Sequence, residues 1–297
     1  MALTFQTFMN AQQISFEKQA KSLAIAIAGT EVALYTFADP DIPRPYFAHV
    51  KTAGGIQVTR NYPPAGDDPA DHATYHPGLW LAFGDLSGAD FWRNKATVRH
   101  EKFVQEPRTE NAQGSFVVEN MYESDGREIC RERCTYTIHA ASDGWLLTSD
   151  STFTTTDAFT FGDQEEMGFG IRVATPLIVK NGGAITNSDG GLNEAGVWGR
   201  QADWAAYGGK IGDTAVSLTL MPHPQNFGRS WFHARDYGLL VANPFGRNAF
   251  TKESKSSIRV LHTAPFRLRF GLHIGTVAAN SNTAYMRYVE LSNDVPN

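Results

Sequence analysis

Cysteine is almost absent from the chain: 297 residues contain two, Cys130 and Cys134. On one strand they would stand about 13 Å apart at ~3.3 Å per residue, too far for a disulfide. They read as free thiols, as in a reducing compartment. Basic charge is also short: 26 Lys and Arg against 31 Asp and Glu leave a net charge of −5. Phosphate backbones need a basic face, so no nucleic-acid partner is expected. The longest apolar stretch, residues 23–28, falls far short of the ~20 residues of a membrane span, so no membrane partner is expected. Residues 1–20 lack a basic segment followed by an apolar one, so no secretory signal is read there. The expectation is a soluble, cytoplasmic protein. No Gly-x-Ser-x-Gly elbow occurs, and neither a Gly-x-Gly-x-x-Gly loop nor a P-loop. Those absences argue against a serine-hydrolase triad and a bound nucleotide. Internal repeats and low-complexity tracts are missing as well.

What is present is strand-forming. Hydrophobic residues make up 42% and charged residues 19%, enough for a sizeable core. Aromatics at 12% suit a sugar-type pocket, and equally the core of a β-sandwich. Residues 22–35 read as two strands about Gly29-Thr30. Residues 116–122 and 129–138 flank Ser124-Asp125-Gly126, a hairpin signal. Residues 46–50 and 56–60 flank Gly54-Gly55; residues 145–154, 167–173, 215–220 and 266–274 read as further strands. Residues 181–199 read as a long loop or flat hairpin, and 284–291 as a closing helix. Strand follows strand without helical crossovers. The expected fold is all-β: one large antiparallel β-sandwich over residues 1–297, with 1–20 as an N-terminal arm or short helix.

Two stretches concentrate chemistry. Residues 71–92 hold two histidines, two tryptophans, a tyrosine and three aspartates, punctuated by Pro77, Gly78, Gly84 and Gly88. Such a mixture suits a loop that presents side chains to a cavity. Residues 222–246 form the second, with His223, Trp231, His233, Arg235, Asp236, Tyr237 and Asn243. Between them, alternation places Glu166 and Arg172 on one strand face with Gly168 and Gly170 between, and glycine in a strand marks a bulge or close approach. Alternation also puts Glu132 on the apolar face shared by Cys130, Cys134, Tyr136 and Ile138. That is either a paired structural carboxylate or one aimed into a ligand cavity, where burial raises its pKa.

These stretches carry a family resemblance. Asp71-His72, His76, Leu79-Trp80, Gly84-Asp85, Gly88 and Asp90-Phe91-Trp92 resemble the signature of the PmoA-like family. So do His223-Pro224, Asn226, Trp231, His233, Arg235 through Gly238, and Asn243-Pro244-Phe245. Gly162, Glu166, Gly168, Arg172 and the Val197 to Trp204 segment lie between and match too. Tyr75 stands where the family has the first of two adjacent histidines. The resemblance implies a galactose-mutarotase-like supersandwich with a concave face.

Three functional readings follow. In the first, the protein is an enzyme acting on a sugar or oxidised sugar derivative by epimerisation, elimination or hydrolysis. His76 and His233 exchange protons, since imidazole titrates near neutral pH, and Glu132 or Glu166 supplies a carboxylate. His72, Asp85, Arg172, Arg235 and Asn243 bind substrate, and Trp80 and Trp231 stack on its rings. No cofactor is expected here. In the second reading a divalent metal sits on His72, His76, His233 and a carboxylate. The third is a sugar-binding protein without catalysis. In each the partner is a small sugar-like molecule.

Overall fold

The computed structural model describes residues 13–110, 112–276 and 280–293. Five strands open it: β1 (Ile14–Lys18), β2 (Ser22–Ile27), β3 (Thr30–Thr36), β4 (Tyr46–Ala48) and β5 (Leu79–Phe83). Four long ones follow, β6 (Thr97–Glu110), β7 (Gln113–Ser124), β8 (Arg127–Ala141) and β9 (Gly144–Thr154). Next come β10 (Ala158–Phe161), β11 (Met167–Arg172), β12 (Ala184–Asn187), helix α1 (Asn193–Val197), β13 (Ala205–Ile211) and β14 (Thr214–Pro222). The chain closes with β15 (Trp231–Arg235), β16 (Leu239–Asn243), α2 (Arg247–Thr251), β17 (Ile258–Leu261), β18 (Phe266–Thr276) and α3 (Ser281–Asn293).

Two eight-stranded sheets result. The first runs β1-β2-β3-β4-β5-β11-β16-β15, the second β12-β13-β14-β18-β9-β8-β7-β6, and β10 and β17 form a small ribbon. The all-β antiparallel sandwich expected from the sequence is what the chain builds. Its turns follow local chemistry. Asp125 and Gly126 both take positive φ, 51° and 71°, between paired Ser124 and Arg127. That is the conformation a two-residue hairpin requires. Ala28 and Gly29 do the same between β2 and β3.

Some expectations are corrected. The arm expected over residues 1–20 lies partly outside the described residues. Its described part is no helix: Ile14 to Lys18 pair with β2 as an edge strand. Around Gly54-Gly55 only β4 is a strand, and the partner segment makes isolated bridges such as Lys51 with Gln57. The stretch 181–199 carries both β12 and α1. The closing helix is present as α3.

Alternation along the first sheet sorts its side chains. Leu79, Leu81, Phe83, Met167, Phe169, Ile171, Leu240 and Ala242 enter the main core between the sheets. There the Phe169 ring stacks on Phe270 of β18 at 5.3 Å. Trp80, Ala82, Leu239 and Val241 face outward instead, joining Tyr46, Ala48 and Trp92 in a separate apolar cluster. This outward face carries the chemistry. Among the described residues no helix is long and apolar enough to cross a membrane. Cys130 and Cys134 are unpaired and buried.

Candidate active site

Register aligns the outward side chains in rows. Trp80 of β5 lies opposite Gly170 of β11; Gly170 lies opposite Val241 of β16, and Val241 opposite His233 of β15. The adjacent row runs Arg172, Leu239, Arg235. Gly170 is glycine for a local reason: a Cβ there would meet the Trp80 and Trp92 rings at 3.1–3.2 Å. The loop of residues 69–76 crosses this floor. His76 is 1% exposed, and its ring stacks parallel to Trp80 at 5.2 Å and on His72 at 5.0 Å. His72 in turn faces Tyr237 at 6.2 Å with 13° between the ring planes. Four rings thus form a column from Trp80 in the interior, through His76 and His72, to Tyr237 at the surface. The two dense stretches of sequence meet here.

Two buried arginines hold the loop by its backbone. Arg60 donates to the carbonyls of Pro69, Asp71, His72 and His76. Arg44 donates to the carbonyls of Tyr75, Phe91 and Trp92. Burial lowers the pKa of each to about 10, which leaves both cationic at neutral pH. His72 sits at φ 50°, a left-handed conformation that a non-glycine residue keeps only when its surroundings impose it.

Arg172 is 1% exposed and meets Asp71 through two 2.9 Å bonds. Its guanidinium lies 4.5 Å from the Tyr237 ring centroid. Partial burial raises the Asp71 pKa, but the Arg172 bonds, the His72 bond and the Arg172 and Arg60 charges outweigh it, and the net shift is downward. Asp71 is therefore ionised at neutral pH and can only accept hydrogen bonds. The 3.1 Å contact between His72 Nδ1 and Asp71 Oδ2 then puts the proton on Nδ1. Nε2 is left as the nitrogen that can exchange one. His72, Asp71, Arg172 and Tyr237 line a cavity of about 540 Å3 with Pro69, Ile178, Val179, Lys180 and Asp236. One Asp236 oxygen accepts from the Glu194 N–H at 2.8 Å. The Lys180 ammonium has no ion pair among the described residues.

Several expected site residues stand elsewhere. Glu132 faces the interior of the sandwich, across a whole sheet from the cavity. It accepts from Asn120 at 3.0 Å, Tyr122 at 3.3 Å and Ser151 at 2.5 Å, and burial raises its pKa. It is the paired structural carboxylate, with hydroxyl and amide partners in place of an arginine. His233 lies on the outward face but has both nitrogens occupied. Nδ1 donates to the Glu165 carbonyl at 3.1 Å, and Nε2 accepts from Arg235 at 3.0 Å. His76 has no hydrogen-bond partner on either nitrogen and does not line the cavity. Burial first, then the charges of Arg172, His72, Arg60 and Arg44, lower its pKa well below 6.5. Neither ring is placed as the proton-exchanging group.

Glu166 is paired with Arg93, which also binds Asp90. Asp85 accepts from the Gly88 N–H within its own turn. Asn243 spends its amide on the carbonyls of Gln164 and Glu165 and on the Phe245 N–H. Arg235 is held by His233, Glu194 and Glu165. Trp231 sits beside Asn243, away from the cavity. Trp80 is 1% exposed and forms the base of the column, not a wall open to a ligand. Arg60, Lys180 and Asp236 were not expected. Arg60 works through loop carbonyls, which sequence does not display, while Asp236 stood inside the second dense stretch. Among the described residues no group of three or more His, Cys, Asp or Glu could hold a metal ion, so the set of His72, His76, His233 and a carboxylate is not assembled.

Three histidines whose surroundings disfavour the charged ring make a pH prediction. His233 is lowered to about 3 by burial and then by the Arg235 charge; burial lowers His139 and His223 to about 4. In the unfolded chain a histidine titrates near pH 6.5. Between about pH 6.5 and 4 the unfolded state takes up protons that the folded state refuses, so stability is full above that window and falls as pH drops through it. The summed loss is on the order of a few kcal/mol. Glu132 acts with opposite sign, its folded pKa being raised. The check is urea denaturation at pH 7 and pH 5 for the native chain and His233→Gln. The variant should lose less stability between the two pH values; equal losses would contradict the assignment.

Fold and site together define a class: an antiparallel β-sandwich with a cavity on the outer face of one sheet, walled by rings and aliphatic side chains with charged groups among them. Within it, this chain belongs to the family of unknown function DUF6807, whose family model matches residues 22–287. No curated protein matches the chain. Among solved structures it is similar to the GH36 α-galactosidase AgaB from Geobacillus stearothermophilus, at 11% identity and TM-score 0.49, over 89% of this chain and 41% of that one. A galactose mutarotase-like protein from Lactobacillus casei is similar at 10% identity and TM-score 0.39, over 88% and 99% of the two chains. Another, from Clostridium acetobutylicum, stands at 8% and 0.39, over 90% and 99%. The chain spans about two fifths of the length of the α-galactosidases it resembles. At these scores the likenesses transfer neither a site residue nor an activity. The PmoA-like label rests on the sequence resemblance alone.

Proposed function

We propose that the protein is an enzyme acting on a sugar or oxidised sugar derivative, with His72 as its proton-transfer group. The observation that carries this reading is the Asp71–His72 pair on the wall of the cavity. A carboxylate held by two arginines fixes the imidazole tautomer and leaves Nε2 without a hydrogen bond among the described residues, the arrangement by which a histidine becomes a directed base. Asp236, on the same cavity, is the second group that can take or return a proton. Lys180 and the Tyr237 hydroxyl bind substrate oxygens, and the apolar edges of Ile178, Val179 and Pro69 meet its ring. Epimerisation or elimination next to a carbonyl needs this kind of base. The PmoA-like resemblance of Asp71, His72 and the Arg235 to Gly238 segment is part of the same reading.

The test is a thermal-shift and turnover screen with monosaccharides, aldonates, lactones and keto-sugars. A ligand at a hundred times its Kd adds ~2.7 kcal/mol. The expected result is stabilisation by one of these compounds, with turnover of that compound. No stabilisation by any of them would end the sugar assignment. Stabilisation without turnover would favour the binding-protein alternative.

A further inference from the structure

We propose that the chain has a second binding site, for a single neutral sugar or cyclitol ring, between the outer face of the second sheet and α3. It is separate from the His72 cavity and does not rest on the function proposed for it. The register of β8 and β9 builds its floor: Thr137 pairs with Thr148, and Thr135 with Asp150. These side chains point away from the main core, opposite in parity to Tyr136, Ile138 and Leu147 within it. Helix α3 covers the neighbouring row by packing Ala284 and Tyr288 against Leu146 and Met221. It leaves the threonine rows open, and a cavity of about 270 Å3 remains.

The lining is built for hydroxyl groups. Thr135, Thr137 and Thr148 make no side-chain hydrogen bond among the described residues. The Tyr288 hydroxyl is buried and makes no hydrogen bond of full geometry. The Ser292 hydroxyl beside it donates to the Tyr288 carbonyl. His139 lines the same space. It is neutral at pH 7, so one ring nitrogen donates and the other accepts. Hydroxyls and a neutral imidazole both give and receive, which matches vicinal hydroxyls. An anion meets charge of both signs on the wall: the Asp150 carboxylate, paired with Arg267, repels it, and the Arg269 guanidinium already donates to Gln225 and to the Ser292 carbonyl. The volume lies just below the ~300–1,000 Å3 of drug-sized sites, so one ring enters and two do not.

The experiment is an amide NMR titration of the full chain with D-glucose, with myo-inositol and with inorganic phosphate. Saturable shifts around Thr137, Thr148 and Tyr288 are expected with glucose or inositol. The Kd should be on the order of 1 mM, as about a dozen heavy atoms at ordinary efficiency imply. Thr148→Val and Tyr288→Phe, which keep shape and remove one hydroxyl each, should weaken binding about fivefold. His72→Ala should leave these shifts unchanged. The proposal is overturned if neither polyol gives saturable shifts here, if phosphate alone does, or if both variants bind as the native chain.

Discussion

Replacing Asp71 with alanine is expected to destabilise the protein by about 3–5 kcal/mol, more than any other single change at the cavity. The reason is an asymmetry of burial. The Arg172 side chain is 1% exposed, whereas Asp71 is 38% exposed. Without the carboxylate, a buried guanidinium keeps its charge and loses both 2.9 Å bonds, with Arg60 close by as a second buried cation. Water in the cavity reaches the 1% exposed Arg172 side chain too poorly to replace both bonds. The reverse change, Arg172→Met, leaves Asp71 where water, His72 and Arg60 still serve it, and should cost less. The double variant should be more stable than the sum of the two losses implies. Urea denaturation of the three variants measures this. Equal single losses, or strict additivity, would show that the pair is not coupled through burial.

The second large effect concerns turnover. On a substrate found by the sugar screen, His72→Ala should lower kcat by about 10²–10⁴, the usual contribution of a positioned acid-base group. His72 is 45% exposed on its side chain, so the fold should tolerate the change. His233→Ala should behave differently. It removes the acceptor for Arg235 Nε and the donor to the Glu165 carbonyl, so stability falls while the cavity keeps its proton-transfer group. His72→Gln is the sharper probe: it keeps a polar side chain beside Asp71 but cannot carry a proton back and forth. If His72→Gln turns over at the native rate and His233→Ala does not, the roles assigned to the two histidines are reversed.

The sequence carried the strands well, because both devices that make them are local. Asp125-Gly126 needs only its own backbone to turn, and the alternation of β18 needs only its neighbours. Parity was legible within the strand: Gly170 does mark a close approach, by two indoles, in the row next to Arg172, while Glu166 lies just before the strand in a bend. Parity does not say which face of a strand meets the other sheet. Glu132 was correctly placed among Cys130, Cys134 and Tyr136, and that apolar face proved to be the sandwich interior. His233 shows a different limit. Its side faces the same way as Arg172, yet its chemistry is decided by a carbonyl from Glu165, contributed by a distant part of the chain. Arg60 and Arg44 were invisible for the same reason, since their partners are loop carbonyls whose positions exist only after folding. The meeting of the two dense stretches was required by the site hypothesis, and the His72–Tyr237 stack supplies it.

The strand order has a consequence in time. β5 pairs with β11, and β11 with β16, so Trp80 and His233 share one row although about half the chain lies between them. The intervening segment includes β6 to β9, whose hairpins close over short turns and can form early. The first sheet closes only when chain made late returns to chain made early, and loop closure of that span is slow. During synthesis the outward face of β5, with its tryptophan, waits for β11 and then for β16. The cavity is therefore among the last parts of the molecule to exist. A nascent or partly folded chain holds the β6 to β9 meander before it can hold a substrate.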